Sequence, residues 1–115
     1  MVEGAPRTVL LYQTSKGKRP FDQWLDSLKD QRDVTRIQAR LLRVEFGNLG
    51  DAKSVGDGVT ELRFFFGSGY RVYIGQHGNE IVVLLCGGDK TTQGKDIEEA
   101  KAFWADFQRR QDEKT

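Results

Sequence analysis

The chain has 115 residues, of which 37% are hydrophobic and 30% are charged, a composition typical of one globular domain and not of a disordered chain. A formal net charge of +1 argues against nucleic-acid binding driven by the charge of the whole surface. The single cysteine excludes an internal disulfide and a zinc site made of thiolates. No apolar run approaches about 18 residues and no signal-peptide core is visible. We therefore expect one cytoplasmic domain over 1–115, with an ordered core over about 8–110.

The first half of the chain contains one predicted strand and two predicted helices. A run of β-prone residues predicts a strand over 8–13, after a tail over 1–7 that has no periodicity. Pro20, followed by apolar residues at helical spacing, predicts a helix over 20–29. A second helix is expected over about 34–46, where glycine and asparagine residues that tolerate a left-handed backbone follow it.

The second predicted helix carries a basic stripe. Its arginines recur at positions i, i+4 and i+7 and are Arg36, Arg40 and Arg43. Such a stripe is either the solvated face of a helix or a surface that binds RNA or a partner. The glycine-rich segment 51–58 is expected to lead into the sheet and to bring Lys53 close to the start of the next strand.

The middle of the chain predicts a meander of three antiparallel strands. These strands are expected over 60–66, 70–74 and 81–86. In the first two, the even positions are apolar and the odd positions are mostly polar, so one face is predicted to be core and the other exposed. With 67–69 as a three-residue hairpin loop, Arg63 lies opposite Tyr73 and Phe65 lies opposite Arg71.

The last strand and the last helix complete the predicted fold. The last strand is apolar on both faces, as in a strand that is covered on both sides, and Cys86 is read as a core residue. Asp96 and Glu99 have the spacing of a capping box, which predicts a helix over about 96–110. We expect an α+β fold of strand, helix, helix, three-strand antiparallel meander and C-terminal helix. The helices are expected to pack on one face of a four-stranded sheet and to leave the other partly open.

Three cations from separate segments are predicted to converge on the open face. They are Arg63, Arg71 and Lys90. Grouped cations hold phosphates and stabilise charge that develops at a phosphoryl group. Cleavage of RNA without a metal needs the ribose 2′-hydroxyl as nucleophile, a group that takes its proton, and cations on the phosphate. Tyr73 or Tyr70 would stack a base. The alternative is that these side chains are solvated surface residues.

Other residues are read as structural. His77, the single histidine, lies in a predicted turn and is interpreted as a turn residue before a general base. Asp89 is interpreted as a strand-end turn residue before an acid–base group. Trp24 and Trp104 are assigned to the core. No metal cluster or phosphate-loop motif is present, so we expect no cofactor.

Short motifs occur in a fixed order along the chain. They are Glu61-Leu-Arg63, Gly69-Tyr-Arg-Val-Tyr73, Leu84-Leu-Cys-Gly-Gly-Asp-Lys90 and the helix start Asp96-Ile97. Over roughly 8–108 this ordered set resembles the RelE/ParE superfamily of toxins from type II toxin–antitoxin systems, in particular the HigB-like, phage-derived addiction module killer protein branch. The resemblance implies a RelE-like fold with two N-terminal helices on an antiparallel sheet. It also implies a cognate antitoxin, usually a helix-turn-helix protein in this branch.

The same resemblance implies roles for individual residues. Arg71 matches the arginine that contacts the scissile phosphate in RelE-type toxins, Lys90 matches a basic residue past the last strand, and Arg63 matches the basic position of the preceding strand. The residues assigned to RNA binding are Lys53, Tyr73, Tyr70 and Arg43. The chain departs from RelE at 59 and 61, where valine and glutamate replace lysines, and at 97–99, where the late tyrosine general acid has no counterpart.

The activity implied by the resemblance is metal-independent cleavage of mRNA on the ribosome, which would inhibit translation and growth. The expected partners are the antitoxin, mRNA and the ribosome, with no membrane and no cofactor. Two alternatives stay open: a ParE-type, non-enzymatic inhibitor of DNA gyrase, and a degenerate member that only binds its antitoxin. The oligomeric state is left open as well.

Overall fold

A computed structural model describes residues 6–114; the remaining residues of the predicted N-terminal tail, 1–5, lie outside this range. The elements are β1 Thr8–Leu11, α1 Pro20–Ser27, α2 Gln31–Glu45, β2 Ala52–Gly56, β3 Val59–Arg63, β4 Arg71–His77, β5 Ile81–Gly88 and α3 Gln93–Glu113. The fold is α+β, with a five-stranded mixed sheet in the order β1-β5-β4-β3-β2. β1 pairs parallel to β5, and the other neighbours are antiparallel. Within 6–114, no helix combines the length and the apolar character that a bilayer crossing requires.

Local chemistry accounts for the helix ends. Pro20 occupies the first turn of α1, where its missing N–H is no loss. The side chain of Asp30 caps α2 by accepting a hydrogen bond from the backbone N–H of Arg32 at 2.9 Å. α3 begins at Gln93, earlier than predicted, so Asp96 lies in its first turn and is not the capping residue.

One face of the sheet forms an entirely apolar core beneath α1 and α2. The apolar even-numbered residues of β3 and β4 point into it, as predicted: Leu62, Val72 and Ile74 are buried there with Ile37 of α2. The ring of Trp24 lies over Gly87, where a Cβ atom would come within 2.2 Å of it. The core assignment of this face is therefore confirmed.

The opposite face is covered by α3, so the expectation that all helices pack on one face is wrong. Val59 and Tyr73 on this face are fully buried against a cluster that includes Ala100 and Trp104 of α3. Trp104 lies over Gly75, where a Cβ atom would come within 2.2 Å of its ring. The apolar stripe of α3 needs an apolar surface to pack against. β5 is apolar on both faces and supplies that surface on the face beneath α3.

A strand that was not predicted, β2, pairs with β3 and gives the sheet five strands instead of four. The strand was missed because the segment 51–58 contains Gly56 and Gly58, and glycine is depleted in strands. The glycines serve the turn into β3: Gly56 and Gly58 have positive φ, and Asp57 between them has φ 56°. A bulge between Ser54 and Gly56 accompanies that turn.

The predicted register of β3 and β4 is wrong by two residues. Arg63 pairs with Arg71, and Glu61 pairs with Tyr73. The connection is consequently the longer segment 64–70 and not a three-residue loop. A slip of two residues leaves every side chain on its predicted face, because side chains alternate with a period of two.

Candidate functional site: a basic cleft at the start of β4

The three predicted cations lie together at one end of the sheet. β3 ends at Arg63, β4 begins at Arg71, and Lys90 follows the end of β5. The antiparallel order of these strands therefore brings all three residues to the same end of the sheet. They line a cleft of about 420 Å³ together with residues 64–69. We call this the β4 cleft.

The loop between β3 and β4 forms one wall of the β4 cleft. The hydroxyl of Ser68 donates a hydrogen bond to Asp89 at 3.0 Å, and the N–H of Lys90 donates to the carbonyl of Ser68 at 3.5 Å. Gly69, at φ +77°, separates the two cations: a Cβ atom there would lie 3.3 Å from Cβ of Lys90 and 3.7 Å from Nη1 of Arg71. Arg71 and Lys90 therefore flank the same point.

A buried carboxylate holds the Arg71 guanidinium. Nε of Arg71 lies 3.7 Å from Oε1 of Glu61, and Nη1 donates to the carbonyl of Gly69 at 3.0 Å. The other oxygen of Glu61 accepts hydrogen bonds from the Tyr73 hydroxyl at 3.1 Å and from the Gln93 amide at 2.8 Å. Glu61 is only 1% exposed and the Arg71 side chain is 12% exposed, so this ion pair is buried, although Nε of Arg71 itself makes no hydrogen bond within residues 6–114.

Glu61 is a site residue that the sequence reasoning did not identify. It lies on the same face as Arg71 and Tyr73, and that shared parity was the available signal. Burial, reinforced by the negative charge of Glu61, raises the pKa of Tyr73 well above its ordinary value. Tyr73 is completely buried, so its predicted role as a stacking platform for RNA bases is wrong.

Arg63 and Lys90 differ in how far their charges are compensated. The Arg63 guanidinium donates two hydrogen bonds to Asp51, at 3.1 and 3.2 Å, and this bidentate pair offsets much of its charge. Lys90 is exposed, and within 6–114 its ammonium forms no ion pair. Lys90 is thus the β4-cleft cation whose charge is available to a ligand.

The remaining predicted RNA-binding residues lie outside the β4 cleft. Tyr70 is half-buried: its hydroxyl donates to Asp33 at 2.8 Å, its ring meets Trp24 edge-on, and burial raises its pKa. Lys53 is exposed on the edge strand β2, opposite Glu61. Arg43 is exposed on α2 and lines a neighbouring cleft.

Arg40 does not belong to a solvated stripe. Its guanidinium donates to the carbonyls of Arg63, Leu49 and Asp51, the last at 2.6 Å, and lies 4.5 Å from the centre of the Phe64 ring. Burial lowers its pKa. Arg40 therefore fastens the end of β3 and the segment before β2 to α2, and its charge is satisfied by carbonyl dipoles.

Two titratable candidates have structural positions, but the position of His77 differs from the prediction. His77 is not in the turn: it is the last residue of β4, pairs with Ile81 and lies about 20 Å from Arg71, the first residue of that strand. Asp89 accepts hydrogen bonds from Thr91 and Ser68, and these, above all that from the Thr91 hydroxyl, lower its pKa. The turn interpretation of Asp89 fits this geometry. Among residues 6–114, no group of three or more His, Cys, Asp or Glu side chains is arranged to hold a metal ion.

The fold and the site define an α+β protein with a mixed five-stranded sheet and a basic cleft at one end of it. A Haemophilus influenzae protein described as "Uncharacterized protein" is 56% identical to this chain over 81 residues, which cover 70% of this chain and 82% of that protein. The chain belongs to the same family as that protein. No family model matches the chain.

Proposed function

We propose that this protein is the toxin of a type II toxin–antitoxin module, a HigB-like member of the RelE/ParE superfamily that cleaves mRNA on the ribosome. The observation that carries the proposal is the pairing of two unlike cations in the β4 cleft. Arg71 forms an ion pair with a buried carboxylate and a hydrogen bond to the carbonyl of Gly69, and the exposed Lys90 lies beside it. The order of the sequence motifs and the packing of α1 and α2 on one face of the sheet support the superfamily assignment.

The two cations suit the chemistry of RNA cleavage. In this reaction the ribose 2′-hydroxyl gives its proton to a base and its oxygen attacks the neighbouring phosphorus. The bond from phosphorus to the 5′-oxygen breaks and that oxygen takes up a proton, so that a 2′,3′-cyclic phosphate and a 5′-hydroxyl result. Negative charge increases on the phosphoryl oxygens in the transition state. A guanidinium that is already oriented stabilises this charge without reorganisation, and the ammonium of Lys90 can follow the phosphate.

The low net charge is compatible with this role because the relevant charge is local. Formal charge is only +1 over the chain, and Asp51 offsets Arg63. Binding would then rely on the few cations that remain available and on contacts with the bases. The ribosome would present the mRNA, and a cognate antitoxin would neutralise the protein.

The test is to induce the protein alone in cells and to follow growth and transcript integrity together. The proposal expects growth to stop and new transcript ends to appear within the same interval. Arrested growth with intact transcripts and accumulated cleaved DNA complexes would point instead to inhibition of DNA gyrase. Normal growth with intact transcripts would indicate a degenerate member that binds its antitoxin but is not toxic.

A further inference from the structure

Phe65 is the most exposed large hydrophobic side chain in the described part of the protein. It is 85% exposed, whereas the preceding Phe64 is buried in the core and the following Phe66 packs edge-on against Phe64 and Tyr70. Within residues 6–114 the ring of Phe65 makes no contact with another ring. A single exposed apolar side chain is common on protein surfaces, so what Phe65 could bind depends on the groups around it.

The surroundings of Phe65 are cationic. Phe65 lines the β4 cleft and also a second cleft of about 260 Å³. We call this second one the α2 cleft; its lining residues are Arg36, Ala39, Arg40, Arg43 and 64–66. Phe65 therefore belongs to the short segment 64–66 that the two basic clefts share, and it is the exposed residue of that segment.

Two arginines of the α2 cleft have charge to offer. Arg40 is engaged with three backbone carbonyls, as described above. Arg36 and Arg43 are exposed, and within the described range neither forms an ion pair. The Arg36 guanidinium lies 5.2 Å from the centre of the Phe66 ring, which orients it toward this cleft. The basic stripe of α2 thus reduces to two available cations beside an exposed aromatic ring.

We infer that Phe65 is a base-stacking platform for single-stranded RNA, and that the strand passes from the β4 cleft over its ring to the α2 cleft. Cations along a groove with an interposed aromatic ring are the combination that binds unpaired nucleic acid, because every base offers a π-face for stacking. A duplex cannot use this platform, because its bases are already stacked on one another. The inference rests on the proposed function, since the β4 cleft is where the strand would be cut.

The experiment measures binding without cleavage. A fluorescein-labelled, single-stranded 2′-O-methyl oligoribonucleotide lacks the nucleophilic 2′-hydroxyl, and its affinity is obtained from fluorescence anisotropy. We expect Phe65→Ala to weaken binding by roughly 5- to 150-fold, the range given by loss of one base–aromatic stack. Phe65→Tyr should retain most of the affinity. Phe46→Ala is the matched control, because Phe46 is 61% exposed but lines neither cleft.

Salt dependence separates stacking from charge. The slope of log affinity against log salt should be unchanged in Phe65→Ala, since no phosphate contact is lost. It should become shallower by about 1.4 in the double variant Arg36→Ala, Arg43→Ala, if each arginine contacts one phosphate. Thermal melting of all variants checks that the fold is retained, which the exposure of these side chains leads us to expect.

The outcomes distinguish this inference from the proposed function. Binding by Phe65→Ala as tight as the wild type, or no binding by the wild type, overturns the inference. If the wild-type protein cuts transcripts but Phe65→Ala binds RNA normally, the nuclease function is retained and the stacking role of Phe65 is rejected. If RNA binding depends on Phe65 but the protein cuts no transcript, the stacking role of Phe65 is retained and the nuclease function is rejected. Loss of a co-purifying protein from Phe65→Ala with unchanged RNA affinity would reassign Phe65 to a protein interface and also overturn the inference.

Discussion

The two faces of the sheet are both buried, but they are built differently. The buried residues of the face beneath α1 and α2 are all apolar and include Leu62 and Ile74. The face beneath α3 contains a buried carboxylate, Glu61, and a buried tyrosine, Tyr73, joined by a hydrogen bond. Buried polar groups are costly unless they are satisfied, and Glu61 is satisfied by hydrogen bonds from Tyr73 and Gln93.

The polar cluster lies between the start of α3 and the β4 cleft. α3 begins at Gln93, whose side chain donates a hydrogen bond to Glu61. Arg71 forms an ion pair with the buried Glu61 and also lines the β4 cleft. The α3 face therefore links a buried carboxylate to the candidate site, whereas the buried residues of the other face are apolar.

The largest expected effect comes from the two tryptophans, one on each face. Trp104→Ala should destabilise the protein by about 3–5 kcal/mol, because the indole is fully buried over Gly75. Trp24→Ala should cost less, because Trp24 is only partly buried. Urea denaturation measures both. A smaller loss for Trp104→Ala than for Trp24→Ala would contradict the account of α3 as an integral cover of the sheet.

Removing the charge of Glu61 should affect both stability and function. Glu61→Gln keeps the size of the side chain but removes the ion pair with Arg71, at an expected cost of about 1–3 kcal/mol. Transcript cleavage should fall as well, since Arg71 loses its anchor. Asp51→Asn is the control: the Asp51–Arg63 pair is partly exposed, so its loss should cost at most about 1 kcal/mol. Equal effects of the two substitutions on unfolding would argue against a buried anchor.

The smallest expected effect concerns the edge of the α3 face, where Tyr12 meets α3. The Tyr12 hydroxyl donates to Asp106 at 2.7 Å, and this hydrogen bond, followed by Arg110, lowers the pKa of Asp106. A carboxylate whose pKa is lowered in the folded state stabilises the protein above its unfolded value of 3.8, and this contribution is lost as the pH falls through the folded value. Asp106→Asn should therefore lower the melting temperature at neutral pH, and the difference from wild type should shrink below about pH 3.8. A difference that stays constant with pH would exclude this linkage.

The sequence predicted which face of the sheet each side chain of β3 and β4 lies on better than it predicted which residues pair across the two strands. The period-two pattern of β3 and β4 assigns each side chain to a face, and it does so equally well for two registers that differ by two residues. It could not reveal that α3 covers the polar face, because Glu61 and Tyr73 read as exposed until Gln93 and Trp104 are placed over them. The apolar character of β5 on both faces was the available sign of a second cover.

The candidate site was also predicted only in part: the sequence indicated which cations come together but not which of them are paired. Arg71, Lys90 and Arg63 were brought to one cleft by strand order alone, which an antiparallel meander determines. Which of their charges is available depends on partners distant in the chain, such as Asp51 for Arg63. Arg40 shows this most clearly, since its partners are backbone carbonyls that carry no sequence signature.

The most direct test of the β4 cleft is to map transcript 5′ ends after induction of wild-type protein, Arg71→Ala and Lys90→Ala. The account predicts new 5′ ends with the wild type, at least a roughly hundredfold loss with Arg71→Ala, and a substantial loss with Lys90→Ala, because each removes a cation from the phosphate. Expression and melting temperature of the variants establish that they are folded. New ends that persist at wild-type levels in both variants would show that cleavage does not occur at this cleft, and the absence of new ends with the wild type would contradict the nuclease itself.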